Sequence, residues 1–97
     1  MMYVKIHHEG DRYVIAICDE DLIGKTLEEG DKQLKISEHF YKGEKKSEEK
    51  VVALLKKCPN ANFIGEHAVK AGIKAGVIKE ENVILIGGVP HAQAITL

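Results

Sequence analysis

Tyr3-Val4-Lys5-Ile6-His7 and Arg12-Tyr13-Val14-Ile15-Ala16-Ile17-Cys18, joined by Glu9-Gly10-Asp11, decide how the chain begins to fold. The first run alternates apolar and polar residues, and the second is rich in β-branched ones. Together with the turn residues between them they predict a β-hairpin. Downstream, Asp19-Glu20-Asp21-Leu22-Ile23-Gly24-Lys25 breaks any strand pattern with acidic residues and a glycine. Alternation resumes at Leu34-Lys35-Ile36, which predicts a third strand, and His39-Phe40-Tyr41 either extends or closes it.

Helical signals follow. Ser47 reads as an N-cap, and Glu48 and Glu49 in the first turn complement the helix dipole. Val51, Leu54, Leu55 and Cys58 recur at three- and four-residue spacing, Lys56 and Lys57 occupy the last turn, and Pro59 stops the helix. After a polar turn at Pro59-Asn60-Ala61-Asn62, a second helix is predicted from about Gly65 to Ala75, with Gly76 as a left-handed cap. Glu80-Glu81-Asn82 reads as a turn and Val83 to Ile86 as a fully buried strand. Gln93 to Leu97 gives a last strand after Gly87-Gly88-Val89-Pro90. Strands that flank a pair of helices, rather than alternating with them, predict an α+β fold: two layers, a mostly antiparallel sheet with two helices packed on one face.

The 97 residues are enough for one core, hence a single domain over 1–97. A content of 44% hydrophobic and 30% charged residues favours a folded, well-solvated chain. Abundant Lys and Glu with no Trp is compatible with a thermophilic source. Fourteen basic residues against fifteen acidic ones do not advertise a polyanion partner, so any basic patch is local. The apolar runs are far shorter than the about 20 residues of a membrane span, and no signal-peptide core opens the chain. A cytoplasmic location without membrane contact is therefore expected. Cys18 and Cys58 form no CxxC pair and read as reduced, packed thiols.

Four features bear on chemistry. Val83-Ile84-Leu85-Ile86-Gly87-Gly88-Val89-Pro90-His91 ends a strand in two glycines beside a proline and a histidine, which makes Gly87, Gly88, Pro90 and His91 a candidate binding turn. Paired glycines offer backbone N–H groups to an anion, but neither GxGxxG nor GxxxxGK[ST] is present, and a tight turn between two strands accounts for the same residues. Asp19-Glu20-Asp21 with Gly24-Lys25 could ligate a hard cation or pair with a basic partner, but no EF-hand spacing appears and three acidic residues at a strand end are more often a solvated turn. The five histidines, at 7, 8, 39, 67 and 91, lack zinc-site spacing, so no metal and no cofactor are expected; His91 is the best placed for acid–base work. Without a nucleophile elbow, no catalytic residue is assigned.

The fourth feature is basic. His67, Lys70 and Lys74 fall at i, i+3 and i+7 and so share one helix face. Lys42, Lys45, Lys46 and Lys50 lie just before and into the first helix, near Phe40-Tyr41, where an exposed ring could stack on a base. Glu44, Glu48, Glu49 and Glu66 interleave with them, which is also how a solvated helix face looks. Lys70-Ala71-Gly72-Ile73 and Lys74-Ala75-Gly76-Val77 echo each other and place small residues on one face, where another element could pack closely.

Asp21-Leu22-Ile23-Gly24-Lys25, Phe40-Tyr41-Lys42-Gly43, Ala61-Asn62-Phe63-Ile64-Gly65 and Gly87-Gly88-Val89-Pro90-His91-Ala92 occur in this order over nearly the whole chain. In that combination the sequence resembles the archaeal family DUF424. The resemblance implies an archaeal, cytosolic, single-domain protein without an established enzymatic activity, with RNA binding or a translation-related role as the family-level expectation. It brings no catalytic residues with it.

The expected function is that of a small non-enzymatic binding protein that contacts structured RNA or a ribonucleoprotein. Lys42, Lys45, Lys46, His67, Lys70 and Lys74 are its candidate RNA-binding residues, and the Gly87–His91 turn is a shape-specific contact. The alternatives are a small-molecule or metal-dependent enzyme built on Asp19, Asp21 and His91, and a protein–protein adaptor. The adaptor would be a homodimer through a sheet edge or through the Gly72/Gly76 face.

Overall fold

Strands β1 (Met2–Glu9) and β2 (Arg12–Asp19) pair antiparallel from Met2↔Asp19 to Glu9↔Arg12. Gly10 takes the positive φ that the turn between them needs. This register puts Val4 opposite Ile17 and Ile6 opposite Ile15, so the middle of one face of the hairpin is apolar. The computed structural model describes residues 1–95, and in it this hairpin lies inside a six-stranded sheet.

After a 3-10 turn at Glu20–Leu22 come β3 (Thr26–Glu29) and β4 (Lys32–Lys35), then helix α1 (Glu38–Tyr41), β5 (Glu44–Lys46) and helix α2 (Glu48–Lys57). Strand β6 (Ala61–Ile64), helix α3 (Glu66–Lys74), a 3-10 turn at Glu80–Asn82, β7 (Ile84–Ile86) and β8 (Val89–Ala94) complete the chain. The sheet order is β5-β1-β2-β6-β8-β7, antiparallel except where β6 runs parallel to β2. Strands β3 and β4 form a separate hairpin.

The two longer helices cover one face. Val51 and Leu55 of α2 and Ala68, Val69 and Ala71 of α3 pack on Val4, Ile15, Ile17, Phe63 and Ala92 of the sheet. The expected α+β architecture, with two helices on one face of a mostly antiparallel sheet, is the one observed. Part of the opposite face is also covered: Leu27 of β3, Tyr41 of α1 and Ile36, between β4 and α1, close over Ala16, Cys18 and Ile64.

Local signals explain the helix boundaries. Ser47 Oγ accepts a hydrogen bond from the Lys50 amide at 3.4 Å, and Gly76 takes the left-handed conformation beyond α3. His39-Phe40-Tyr41 neither extends nor closes a strand: it is a helical turn, capped by Ser37 Oγ, which accepts from the Phe40 amide at 3.1 Å. The strand predicted at Leu34–Ile36 is β4, four residues from Lys32 that pair with β3 rather than joining the main sheet.

Three expectations need correction. Ala61 and Asn62 are not a turn but the start of β6, a central strand in register with Ile15 and Ala16 of β2. Val83–Ile86 is not fully buried: β7 is the sheet edge, with Ile84 and Leu85 55% and 59% exposed. The last strand begins at Val89, earlier than Gln93, because Gly87 and Gly88, at φ 56° and 80°, close a two-residue turn between Ile86 and Val89. The part of the predicted strand at Thr96 and Leu97 lies outside the described residues.

Candidate nucleic-acid interface

Helix α2 buries Val51 and Leu55 and leaves Lys50, Ala53 and Lys57 exposed, with Leu54 half-buried. Strand β5 delivers Lys46 to the same side, because its pairing with Met2 of β1 places it on the helix-covered face. Lys46, Lys50, Ala53, Leu54 and Lys57 thus line one shallow groove of about 260 Å³, a row of ammonium groups over an apolar floor. Lys46 Nζ is 3.3 Å from Glu44, and that pair leads into a neighbouring, mostly apolar groove along Val4, Ile6, Gly43 and Leu54.

The other lysines divide. Lys45 alternates to the opposite face, 3.0 Å from Glu20 and over the Tyr3 ring at 5.5 Å. The hydrogen bond and charge of Glu20 hold Lys45 above the usual lysine range, and Lys45 in turn holds the Glu20 carboxyl below its own. Lys74 stands 3.9 Å from Glu48 across the α2–α3 junction, while Lys42 and Lys70 are exposed. His67 belongs elsewhere: with Asp19, Asp21, Glu66 and Pro90 it lines an acidic cleft at the ends of β2 and β6. The six expected RNA contacts do not form one patch. Lys46 is the one of them in the α2 groove, where Lys50 and Lys57 join it.

In the sequence Lys57 reads only as dipole complement at a helix end. The signal that could have found it is spacing: residues 50, 53, 54 and 57 recur on one side of the helix.

The acidic loop has a structural task. Asp19, 5% exposed at the end of β2, accepts the His67 amide at 3.1 Å and the Ala68 amide at 2.8 Å, one on each carboxylate oxygen. It fills the N-terminus of α3, the place an anion would otherwise take. Asp19 and Asp21 share the acidic cleft, but His91 does not join them; it lies on β8 beside Val77, Asn82 and Ile84. The three residues of the enzyme alternative therefore do not line one pocket. Burial lowers the His91 pKa. Among the described residues, no group of three or more His, Cys, Asp or Glu side chains could hold a metal ion.

Gly88 and Pro90 also border the cleft, and the Pro90 carbonyl accepts the Gly65 amide at 2.9 Å. The Gly87–Gly88 turn is a hairpin tip seated against the backbone of Glu28 in β3. The cysteines are unpaired thiols. Burial, with smaller contributions from Asp19 and Asp21, pushes Cys18 up to about 12, so it holds its proton at neutral pH and is no nucleophile. Burial raises Tyr41 to about 12 as well. Among the described residues, no helix is long and apolar enough to cross a membrane.

Comparison with known proteins agrees with the fold and is silent on activity. The crystal structure of an uncharacterized conserved protein from Methanopyrus kandleri is 33% identical and superposes with a TM-score of 0.87, covering 95% of this chain and 88% of that one. No curated protein matches. The family model described as protein of unknown function (DUF424) matches residues 6–97. The chain belongs to the DUF424 family.

Proposed function

We infer that the protein is a cytoplasmic, non-enzymatic binding module that contacts the phosphate backbone of a structured RNA, within a ribonucleoprotein of the translation apparatus. The observation that supports this reading is the α2 groove, where Lys46, Lys50 and Lys57 stand over Ala53 and Leu54 with Glu44 as the neighbouring carboxylate. A near-neutral chain can hold a polyanion only through such a local concentration of like charge. Long, flexible ammonium side chains suit phosphates, whose positions follow RNA shape rather than sequence.

The experiment is capture of the tagged protein from an archaeal lysate, with and without ribonuclease, followed by titration of the captured RNA at several salt concentrations. Each phosphate contact steepens the fall of log affinity with log salt by ~0.7–0.9. Capture that survives ribonuclease, or affinity that ignores salt, defeats the reading.

A further inference from the structure

The two edges of the six-stranded sheet differ in kind. One edge is β5, Glu44-Lys45-Lys46, whose charges discourage another strand from adding. The other is β7, Ile84-Leu85-Ile86, with no charge, proline or bulge, and with Ile84 and Leu85 more than half exposed. An unprotected apolar edge is a template for a further strand.

Its backbone groups can be assigned. The two-residue turn makes Ile86↔Val89 the closing hydrogen-bonded pair of the hairpin. Antiparallel pairing alternates, so Ile84↔His91 is bonded as well and Leu85↔Pro90 is not. The N–H and C=O of Leu85 therefore project from the outer edge. Pro90 fits this arrangement, since it has no N–H and turns its carbonyl to the Gly65 amide on the β6 side.

We propose that β7 is the seam of a homodimer, in which two copies pair antiparallel about a two-fold axis between Leu85 and its counterpart, joining both sheets into one. The strand is its own complement. Leu85, at its centre, exchanges both hydrogen bonds with the partner's Leu85, and Ile84 of each copy lies across from the partner's Ile86 on the same sheet face. A formal net charge of −1 puts little long-range repulsion between copies. The small-residue face of α3 is not the seam: Gly72 is buried, and a Cβ there would meet Phe63 and Ile78 of the same chain at 2.8 Å. The dimer does not depend on the RNA reading, because β7 and α2 are at different places on the molecule.

The test is sedimentation of the full chain up to about 1 mM, with Leu85→Lys as the variant and its fold checked by circular dichroism. The wild type is expected to dimerise reversibly and the variant to dissociate at least about tenfold more readily. Leu85→Cys, in a Cys58→Ser background, should be joined into a covalent dimer by a short bis-maleimide, because a hydrogen-bonded antiparallel pair spaces the two Cα atoms at about 5.5 Å with both side chains on one sheet face. Lys45→Cys at the charged edge should not. A wild type that stays monomeric throughout, a dimer indifferent to Leu85→Lys, or equal cross-linking at both edges overturns the proposal.

Discussion

A Cβ on Gly65 would lie 2.3 Å from Cγ of Asp19. The end of β2 and the start of α3 meet so closely that no side chain fits between them, and Gly65 also has φ 107°, where L side chains are strained. Gly65→Ala should therefore lose stability twice over, by strain and by displacing the carboxylate that caps α3, for a total of about 2–4 kcal/mol. Urea denaturation measures it. A loss below about 1 kcal/mol would mean that the joint relaxes freely.

Asp19 allows a graded experiment. Asp19→Ala leaves the amides of His67 and Ala68 without their acceptor in a buried place and should cost about 2–4 kcal/mol. Asp19→Asn keeps one acceptor oxygen and should retain roughly half of that. Equal losses in the two variants would show that charge rather than acceptor count dominates. Neither substitution touches the lysines of the α2 groove, so salt-dependent RNA binding should persist wherever the variant is folded.

His91 makes stability depend on pH. Burial lowers its pKa in the folded protein below the usual 6.5, so the unfolded chain takes up the proton first. The contribution is complete above about pH 6.5 and is lost as pH falls through the unfolded pKa towards the lower folded one. Thermal melts of the wild type should drop between pH 7 and 5, and His91→Gln should flatten that part of the profile. An unchanged slope in the variant would assign the drop to other groups.

The thiols should separate by accessibility. Cys58, at the end of α2, is partly exposed, whereas Cys18 lies under α1 and is pushed up to about 12. Alkylation at pH 8, read by mass spectrometry of peptides, should label Cys58 in the native protein and Cys18 only after denaturation. Prompt labelling of Cys18 would show that the α1 side of the core opens readily.

The elements legible in the sequence were those with several local signals in agreement. Ser47, the paired glutamates and Pro59 bracket α2, and the β-branched run from Tyr13 to Ile17 marks β2. Strand β6 was hidden because four residues are too few to show a period, and its Asn60-Ala61-Asn62 start carries turn chemistry that tertiary pairing with Ile15–Cys18 overrides. Val83–Ile86 looked buried because an apolar run has no alternation to report which side is open; only sheet order shows that it is an edge. The same limit applied to the candidate site. Alternation along β5 sends Lys45 and Lys46 to opposite faces, and this became visible only once Glu44–Lys46 was known to be a strand.

That split of neighbours yields the sharpest prediction for the proposed interface. Lys45 is paired with Glu20 on one face, whereas Lys46 lies with Lys50 and Lys57 along the groove on the other. Lys50→Gln and Lys57→Gln should each weaken RNA binding by about 3- to 10-fold at moderate salt and reduce the salt slope by ~0.7–0.9. Lys45→Gln removes a positive charge of the same size next to Lys46 in sequence, yet should leave both affinity and slope nearly unchanged. All three substitutions alter exposed side chains and should move stability by less than about 0.5 kcal/mol, so lost binding would not be lost fold. If Lys45→Gln matches the other two, net charge rather than the groove governs binding, and the interface assigned to α2 is wrong.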